Sequence, residues 1–279
     1  MAWGAKWPGS DDVVLSGRVR QADKGLQPLA SSWLSRRPFD NLEEERMKHR
    51  ANYRKVVQFE LMLGSEATDA LQAFPVGYLP IGGLERHGDH LPMGLDVIKA
   101  HRICCLAARV IGGVVFPAHF YSAIHHLKPE VHRRVTSQFA DLFTDATAKA
   151  NLHEIIAQLE LMGLKVLVLY SGHYPVSQVE MIREIAAEVA DRGGLTVIPF
   201  AECMLWKGDH AGVSETSLML YLDKSLVDMT RISDVNYRNH GWGGENDPLK
   251  ASSARGESET DRVLDHLQAE ISRALNGPQ

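Results

Sequence analysis

Lys165-Val166-Leu167-Val168-Leu169-Tyr170, followed at once by Ser171-Gly172-His173-Tyr174, decides the architecture. The apolar run from Val166 onward does not alternate with polar residues, so it reads as a strand covered on both faces. Working outward, the same pattern recurs. Val76 to Ile81, Gly113 to Ala118 and Leu195 to Phe200 are further apolar strands. Helical spacing marks Leu95 to Val110, Val135 to Gly163 with a break, Val176 to Arg192 ending at Gly193-Gly194, and a helix from Ser214 to Leu222. Strand and helix in alternation imply an α/β fold with three α/β/α layers, a mostly parallel central sheet and right-handed connections, in a single domain.

The flanks are plainer. Residues 1–60 form an N-terminal extension, irregular to about residue 40 and then helical from Asn41 to Leu63, with Asn41 as cap and Glu43-Glu44-Glu45 in the first turn. The main domain occupies 61–279. Ser65 to Gln72 reads as a short helix, 234–256 as a long loop and Ser258 to Ala274 as a terminal amphipathic helix. A net charge of -5 argues against a general nucleic-acid binder. No apolar run reaches the roughly 20 residues of a membrane span, and the N-terminus lacks the apolar core of a signal peptide. The 3 cysteines, Cys104, Cys105 and Cys203, form no disulfide framework. Together these features point to a cytoplasmic protein.

Acids and imidazoles gather where strands end. After Val76–Ile81 comes Leu84-Glu85-Arg86-His87-Gly88-Asp89-His90-Leu91-Pro92-Met93-Gly94-Leu95-Asp96. Glu85 and His87, two apart in irregular backbone, can point the same way, and Asp96 can return to them if the loop folds back. His119 with His125 and His126 follows the second strand, His173 the third, and His210 with Glu215 the fourth. Each has a plainer alternative: a polar loop, a capping imidazole, or Ser214 and Glu215 opening a helix. Several strand ends delivering such groups together fit a ligand rim in an open α/β sheet, and mixed imidazole and carboxylate suit a dinuclear hydrolytic site.

Leu79-Pro80-Ile81-Gly82-Gly83-Leu84-Glu85-Arg86-His87-Gly88-Asp89-His90-Leu91-Pro92 resembles the signature of the creatininase (creatinine amidohydrolase) family. Ser171-Gly172-His173 is similar to its Asn-Gly-His turn. His210-Ala211-Gly212 through Glu215-Thr216-Ser217 resembles its His-Ala-Gly and Glu-Thr-Ser segment, and Asp247-Pro248 with Ala251-Ser252 and Gly256 its late loop. The resemblance implies an amidohydrolase that cleaves a non-peptide C–N bond, of cyclic amide or formamide type, with a metal-bridging hydroxide. It implies two divalent metal ions per subunit, zinc first, with manganese or iron compatible. It also implies a small-molecule substrate and a homo-oligomer, commonly a hexamer. Asp96 would bridge the metals, Glu85 and His173 would complete one ligand set, and His87 and Glu215 the other. His210 and Glu215 are the catalytic candidates, His210 as proton carrier. Arg86, His126, Tyr174 and Trp206 are the candidates for substrate contact.

Departures from the family pattern bear on the substrate. Pro175 stands where creatininase carries an acid, Ser171 replaces the usual Asn, and Arg86 stands where many members have Gln. Leu127 to Arg134 replaces a Phe-Pro-Gly-Thr segment. A guanidinium here suits a carboxylate or phosphate on a substrate other than creatinine. A non-catalytic ligand-binding member of the same fold is the alternative reading. A serine hydrolase is disfavoured, since there is no Gly-x-Ser-x-Gly elbow.

Overall fold

The computed structural model describes residues 56–119 and 144–277. Four parallel strands form one sheet in this region: β1 (Val76–Ile81), β2 (Val114–Val115), β3 (Val166–Ser171) and β4 (Thr196–Phe200), in the order β2-β1-β3-β4. β1 and β3 pair along their whole length, from Val76 opposite Val166 to Ile81 opposite Ser171. Every residue of both strands is buried, as their continuous apolar composition requires.

Helices cover both faces. They are α1 (Gly64–Ala73), α2 (Leu95–Val110), α3 (Asp145–Leu161), α4 (Val176–Ala190), α5 (Val213–Leu222), α6 (Asp234–His240) and α7 (Ser253–Asn276). Val76, Tyr78, Val168, Tyr170, Ile198 and Phe200 face α2, α5 and α7 in one apolar core. Leu79, Ile81, Leu167, Leu169 and Val197 face α3 and α4 in the other. The alternation along each strand sends successive side chains to opposite layers. The three-layer α/β/α reading therefore holds.

Local readings differ at the edges. The ladder of β2 is confined to Val114–Val115, shorter than the apolar run Gly113 to Ala118, and continues only as an isolated bridge between Ile81 and His119. The helix read up to Leu63 is absent at its end. There Gln58 pairs with Val115 and Phe59–Leu61 is a single 3-10 turn; its start, 41–55, lies outside the described residues. The region 234–256, read as loop, contains α6, closed by Gly241 in the left-handed conformation (φ 64°), and two 3-10 turns. Ser233 caps α6 by accepting from the Asn236 N–H, a signal present in the sequence but short. No described helix is long and apolar enough to cross a membrane.

Candidate metal centre

Loops at the carboxyl ends of β1 and β3 and the first turns of α2 and α5 deliver the cluster. Glu85 and His87 follow β1, His173 follows β3, and Asp96 lies in the first turn of α2, where a helix N-terminus favours an anion. The loop does fold back, because the Glu85 N–H donates to the Met93 carbonyl at 3.1 Å. Gly172 makes the close approach possible: its N–H donates to the Ile81 carbonyl at 2.9 Å, and a Cβ there would stand 2.0 Å from the Asp96 carbonyl oxygen. Ser171 donates to the His173 carbonyl and accepts from Gln178 Nε2 at 3.1 Å, so the serine in this turn holds the backbone of His173.

Glu85, His87, Asp96, His173 and Glu215 are all buried, and they form two groups that share Asp96. Asp96 Oδ2 lies 3.1 Å from His173 Nδ1, which is 2.9 Å from Glu85 Oε1. Asp96 Oδ1 lies 3.1 Å from His87 Nε2, which is 3.7 Å from Glu215 Oε2. His87 Nδ1 faces the Glu85 backbone carbonyl at 3.1 Å, and a carbonyl only accepts, so Nδ1 carries the hydrogen. Nε2 then directs a lone pair at the Asp96 carboxylate, where it has no hydrogen-bond partner among the described residues. Lone pair against anion is repulsive in a buried site unless a cation stands between them. Either a proton or a metal ion meets that need, and mixed nitrogen and oxygen donors suit zinc, manganese or iron.

The proton alternative shows in the acidities. Burial disfavours a charge on His87, but Asp96, Glu215 and Glu85 outweigh it and push the imidazole up to about 9. Burial also opposes charge on Asp96, but His87 and His173 hold it well below the usual carboxylate range. Glu215 is lowered too, its burial outweighed by Lys99 and His87.

His210 sits at the mouth of a cleft of about 240 Å³ whose walls include Gly172 to Pro175 and Asp209. Its side chain is 40% exposed, and its ring lies 4.5 Å from that of His87. Nε2 is 2.9 Å from the Arg86 carbonyl, so Nε2 carries the hydrogen and Nδ1, 3.8 Å from Glu85 Oε1, presents its lone pair to the cleft. Trp242 donates its indole N–H to the His210 carbonyl at 2.9 Å, and His240 stacks on Trp242 with ring centroids 4.7 Å apart. Tyr174 lines the cleft, its hydroxyl 2.9 Å from both Glu215 Oε1 and the Asp209 carbonyl. Arg86 is ion-paired with Asp89. Trp206 is elsewhere: its indole donates to Ser214 Oγ at 3.0 Å, and the Arg262 guanidinium covers its ring. His90 is bound through Nε2 to Thr216 at 3.0 Å, outside the two groups. His119 closes the sheet edge, its carbonyl accepting from the Gly82 N–H at 3.1 Å. His125 and His126 lie outside the described residues.

Four residues that the sequence reading left without a role serve the site. Asp209 accepts from the backbone N–H groups of Ser214 and Glu215 at 2.7 and 3.2 Å, fixing the start of α5. Burial, helped by Glu215, pushes its carboxyl up to about 6. Ala211 has φ 54°, a rare conformation for a residue with a Cβ, and so aims its N–H at Glu215 Oε2 at 2.7 Å. Lys99 and Glu202 lie beneath Glu215; burial above all pushes Glu202 up to about 7. A lysine inside the apolar helix Leu95–Val110, three residues after Asp96, was the available signal.

A family model described as creatinine amidohydrolase matches residues 60–271. The creatinine amidohydrolase of Pseudomonas putida is 30% identical, over 56% of this chain and 67% of that protein. A mutant creatininase of Zn-Zn type has a TM-score of 0.63 at 26% identity, over 81% of this chain and 100% of that one. A creatininase structure with Mn has a TM-score of 0.64 at 25% identity, over 80% of this chain and 100% of that one.

Proposed function

Since the chain belongs to the creatininase family of amidohydrolases, we propose that it hydrolyses a non-peptide C–N bond at a dinuclear metal centre built on Asp96. The sharing of Asp96 between the Glu85–His173 group and the His87–Glu215 group carries this reading. Two divalent ions, zinc first and manganese or iron next, would be held there. When bound they supply water acidified toward neutral pH and a fixed positive charge for the carbonyl oxygen.

The chain's own residues do the rest. Asp96, anchored at the N-terminus of α2, would offer one oxygen to each ion, and Ala211 N–H and Lys99 hold Glu215 so that Oε2 faces His87. The donor set fits the group, because His87 Nε2 and Asp96 Oδ2 are both buried and neither has a hydrogen-bond partner among the described residues. His210, with Nε2 committed to the Arg86 carbonyl, would take a proton at Nδ1 and return it to the leaving nitrogen. Arg86 and Tyr174 would contact the substrate. His126 stays in the proposed contact set, whereas Trp206 would act on the cleft only through Ser214 at the start of α5. A homo-oligomer, with a hexamer favoured, belongs to the same proposal and is read by light scattering.

The experiment is to measure metal per subunit in the purified chain and to screen creatinine, other cyclic amides and formamides. Two ions per subunit and turnover that a chelator abolishes are expected. Folded protein with less than one ion per subunit after zinc addition would overturn the dinuclear reading.

A further inference from the structure

Beneath the floor of the cleft lies charge that the proposed reaction does not use. Lys99, nearly one turn along α2 from Asp96, is 0% exposed. Its Nζ lies 2.9 Å from Glu215 Oε1 and 3.4 Å from Glu202 Oε1, and 4.8 Å from the centre of the Tyr174 ring. Glu202 is buried as well; the Tyr170 hydroxyl donates to its Oε1 at 2.9 Å, and its Oε2 has no hydrogen-bond partner among the described residues. A dry ammonium is costly to keep and persists only where fixed anions face it. Here one of those anions is Glu215, whose other oxygen looks into the cluster.

We propose that the buried Lys99–Glu202 pair makes the two metal subsites unequal, so that the subsite of His87, Asp96 and Glu215 binds its ion more weakly than that of Glu85, Asp96 and His173. The inference rests on the dinuclear reading above. Lys99 is a permanent counter-charge for Glu215. Without it, Glu215 and Glu202 would share a dry volume with no fixed ammonium between them, so an incoming ion would gain more by binding. With it, Glu215 already has a counter-charge when the subsite is empty, and the ion meets a fixed positive charge close by. Glu202 acts in the opposite sense: it offsets Lys99, and removing its charge leaves the ammonium to oppose the ion undiminished. Lys99 and Tyr174 also occupy Oε1, leaving Oε2 as the oxygen that Glu215 presents to His87. Glu85 has the His173, His87 and His210 rings as its near partners, whereas Lys99 pairs with Glu215, so the Glu85–His173 subsite feels Lys99 less.

The test titrates zinc ion alone into the full chain against a chromophoric chelator at mildly alkaline pH, resolving two successive constants. The native chain is expected to bind two ions, the second more weakly. Lys99→Met should tighten the second ion by at least about tenfold and the first by less. Glu202→Gln should loosen the second ion several-fold. A pair that served packing alone would shift both variants in the same direction. An unchanged or weaker second constant in folded Lys99→Met overturns the proposal, as does tightening in Glu202→Gln. If Lys99→Met does not fold, Glu202→Gln decides alone: loosening supports the pair and any other result refutes it. A native chain that takes up less than one zinc ion overturns the dinuclear reading and this inference together. Two ions bound with both variants unaltered overturns only the inference.

Discussion

Gly172→Ala tests whether the cluster depends on one backbone contact. Gly172 has an ordinary φ, so the substitution introduces no conformational strain; its effect is steric. The new Cβ would stand 2.0 Å from the Asp96 carbonyl oxygen and 2.8 Å from its carbonyl carbon. Carbon and oxygen normally approach no closer than roughly 3.3 Å, so β3's turn and the start of α2 must separate by about 1.3 Å. The obstacle is backbone, not a side chain that can rotate away, and the two residues displaced are Asp96 and the neighbour of His173. Overpacking of this kind costs about 1–3 kcal/mol, and this case belongs at the upper end or beyond. For a chain of this size, about 3 kcal/mol lowers Tm by roughly 6–12 °C. The Asp96–His173 distance of 3.1 Å would be lost, and a misplacement of about 1 Å commonly costs about a hundredfold in rate. The assay is thermal unfolding with zinc stoichiometry by elemental analysis. Gly64→Ala is the control: Gly64 opens α1, nothing lies within 4 Å of its added Cβ, and the change should be neutral or slightly stabilising. If Gly172→Ala binds the native number of zinc ions and melts within about 2 °C of the native chain, the steric reasoning is wrong.

Three further outcomes follow from the same geometry. Asp209→Ala should lose about 1–2 kcal/mol in a denaturant titration, because it removes the acceptor for Ser214 and Glu215 N–H, while Asp209→Asn should keep most of that stability. Trp242→Phe should leave zinc stoichiometry intact but lower kcat several-fold on whichever amide is turned over, through loss of about 1 kcal/mol of anchoring at the His210 carbonyl. In chelator, Tm should fall as pH rises from 6.5 toward about 9. The His87 proton favours the folded state fully below 6.5 and is lost through about 9; Glu202, raised from 4.5 to about 7, acts in the same direction. Zinc should flatten that slope, since a ligating imidazole holds metal and not a proton; an equal slope with and without zinc counts against His87 as a ligand.

Much of the layer architecture could be read from the chain because burial on both faces leaves a one-dimensional trace. The bounds of β1 and α2 match the apolar runs Val76 to Ile81 and Leu95 to Val110. β2 could not be delimited in this way: Phe116 is as apolar as Val115 and its N–H still donates to the Tyr78 carbonyl at 2.9 Å, so where the ladder ends depends on the neighbouring strand, not on composition. α6 was hidden for the opposite reason, since seven mostly polar residues with Val235 as the one aliphatic side chain, held by a Ser233 cap, leave no apolar stripe to read. In the site, each imidazole and carboxylate of the two groups was legible as residue type after a strand. The supporting charges were not. Lys99 left a faint trace as a lysine in an apolar helix, and Glu202 left none; what the two do together is recognised only once the fold shows that neither reaches water.

Strand order is the piece that no local pattern contains, and it explains why these loops meet. In the order β2-β1-β3-β4 the chain leaves β1 toward one edge and leaves β3 toward the other. Right-handed crossovers in opposite directions must then pass on opposite faces, which puts α2 in one layer and α4 in the other. Between the carboxyl ends of β1 and β3 neither connection covers the sheet, and a crevice opens at that switch point. Glu85 and His87 enter it from β1, His173 from β3, and Asp96 from the helix that turns away first. Only the fourth contribution, Glu215, needs a longer route, across β4 and back along α5, and it is the one held in place by a strained alanine, a capping aspartate and a buried lysine. The residue farthest from the switch point in chain order is thus the one with the most support, as expected when position is not supplied by adjacent strands.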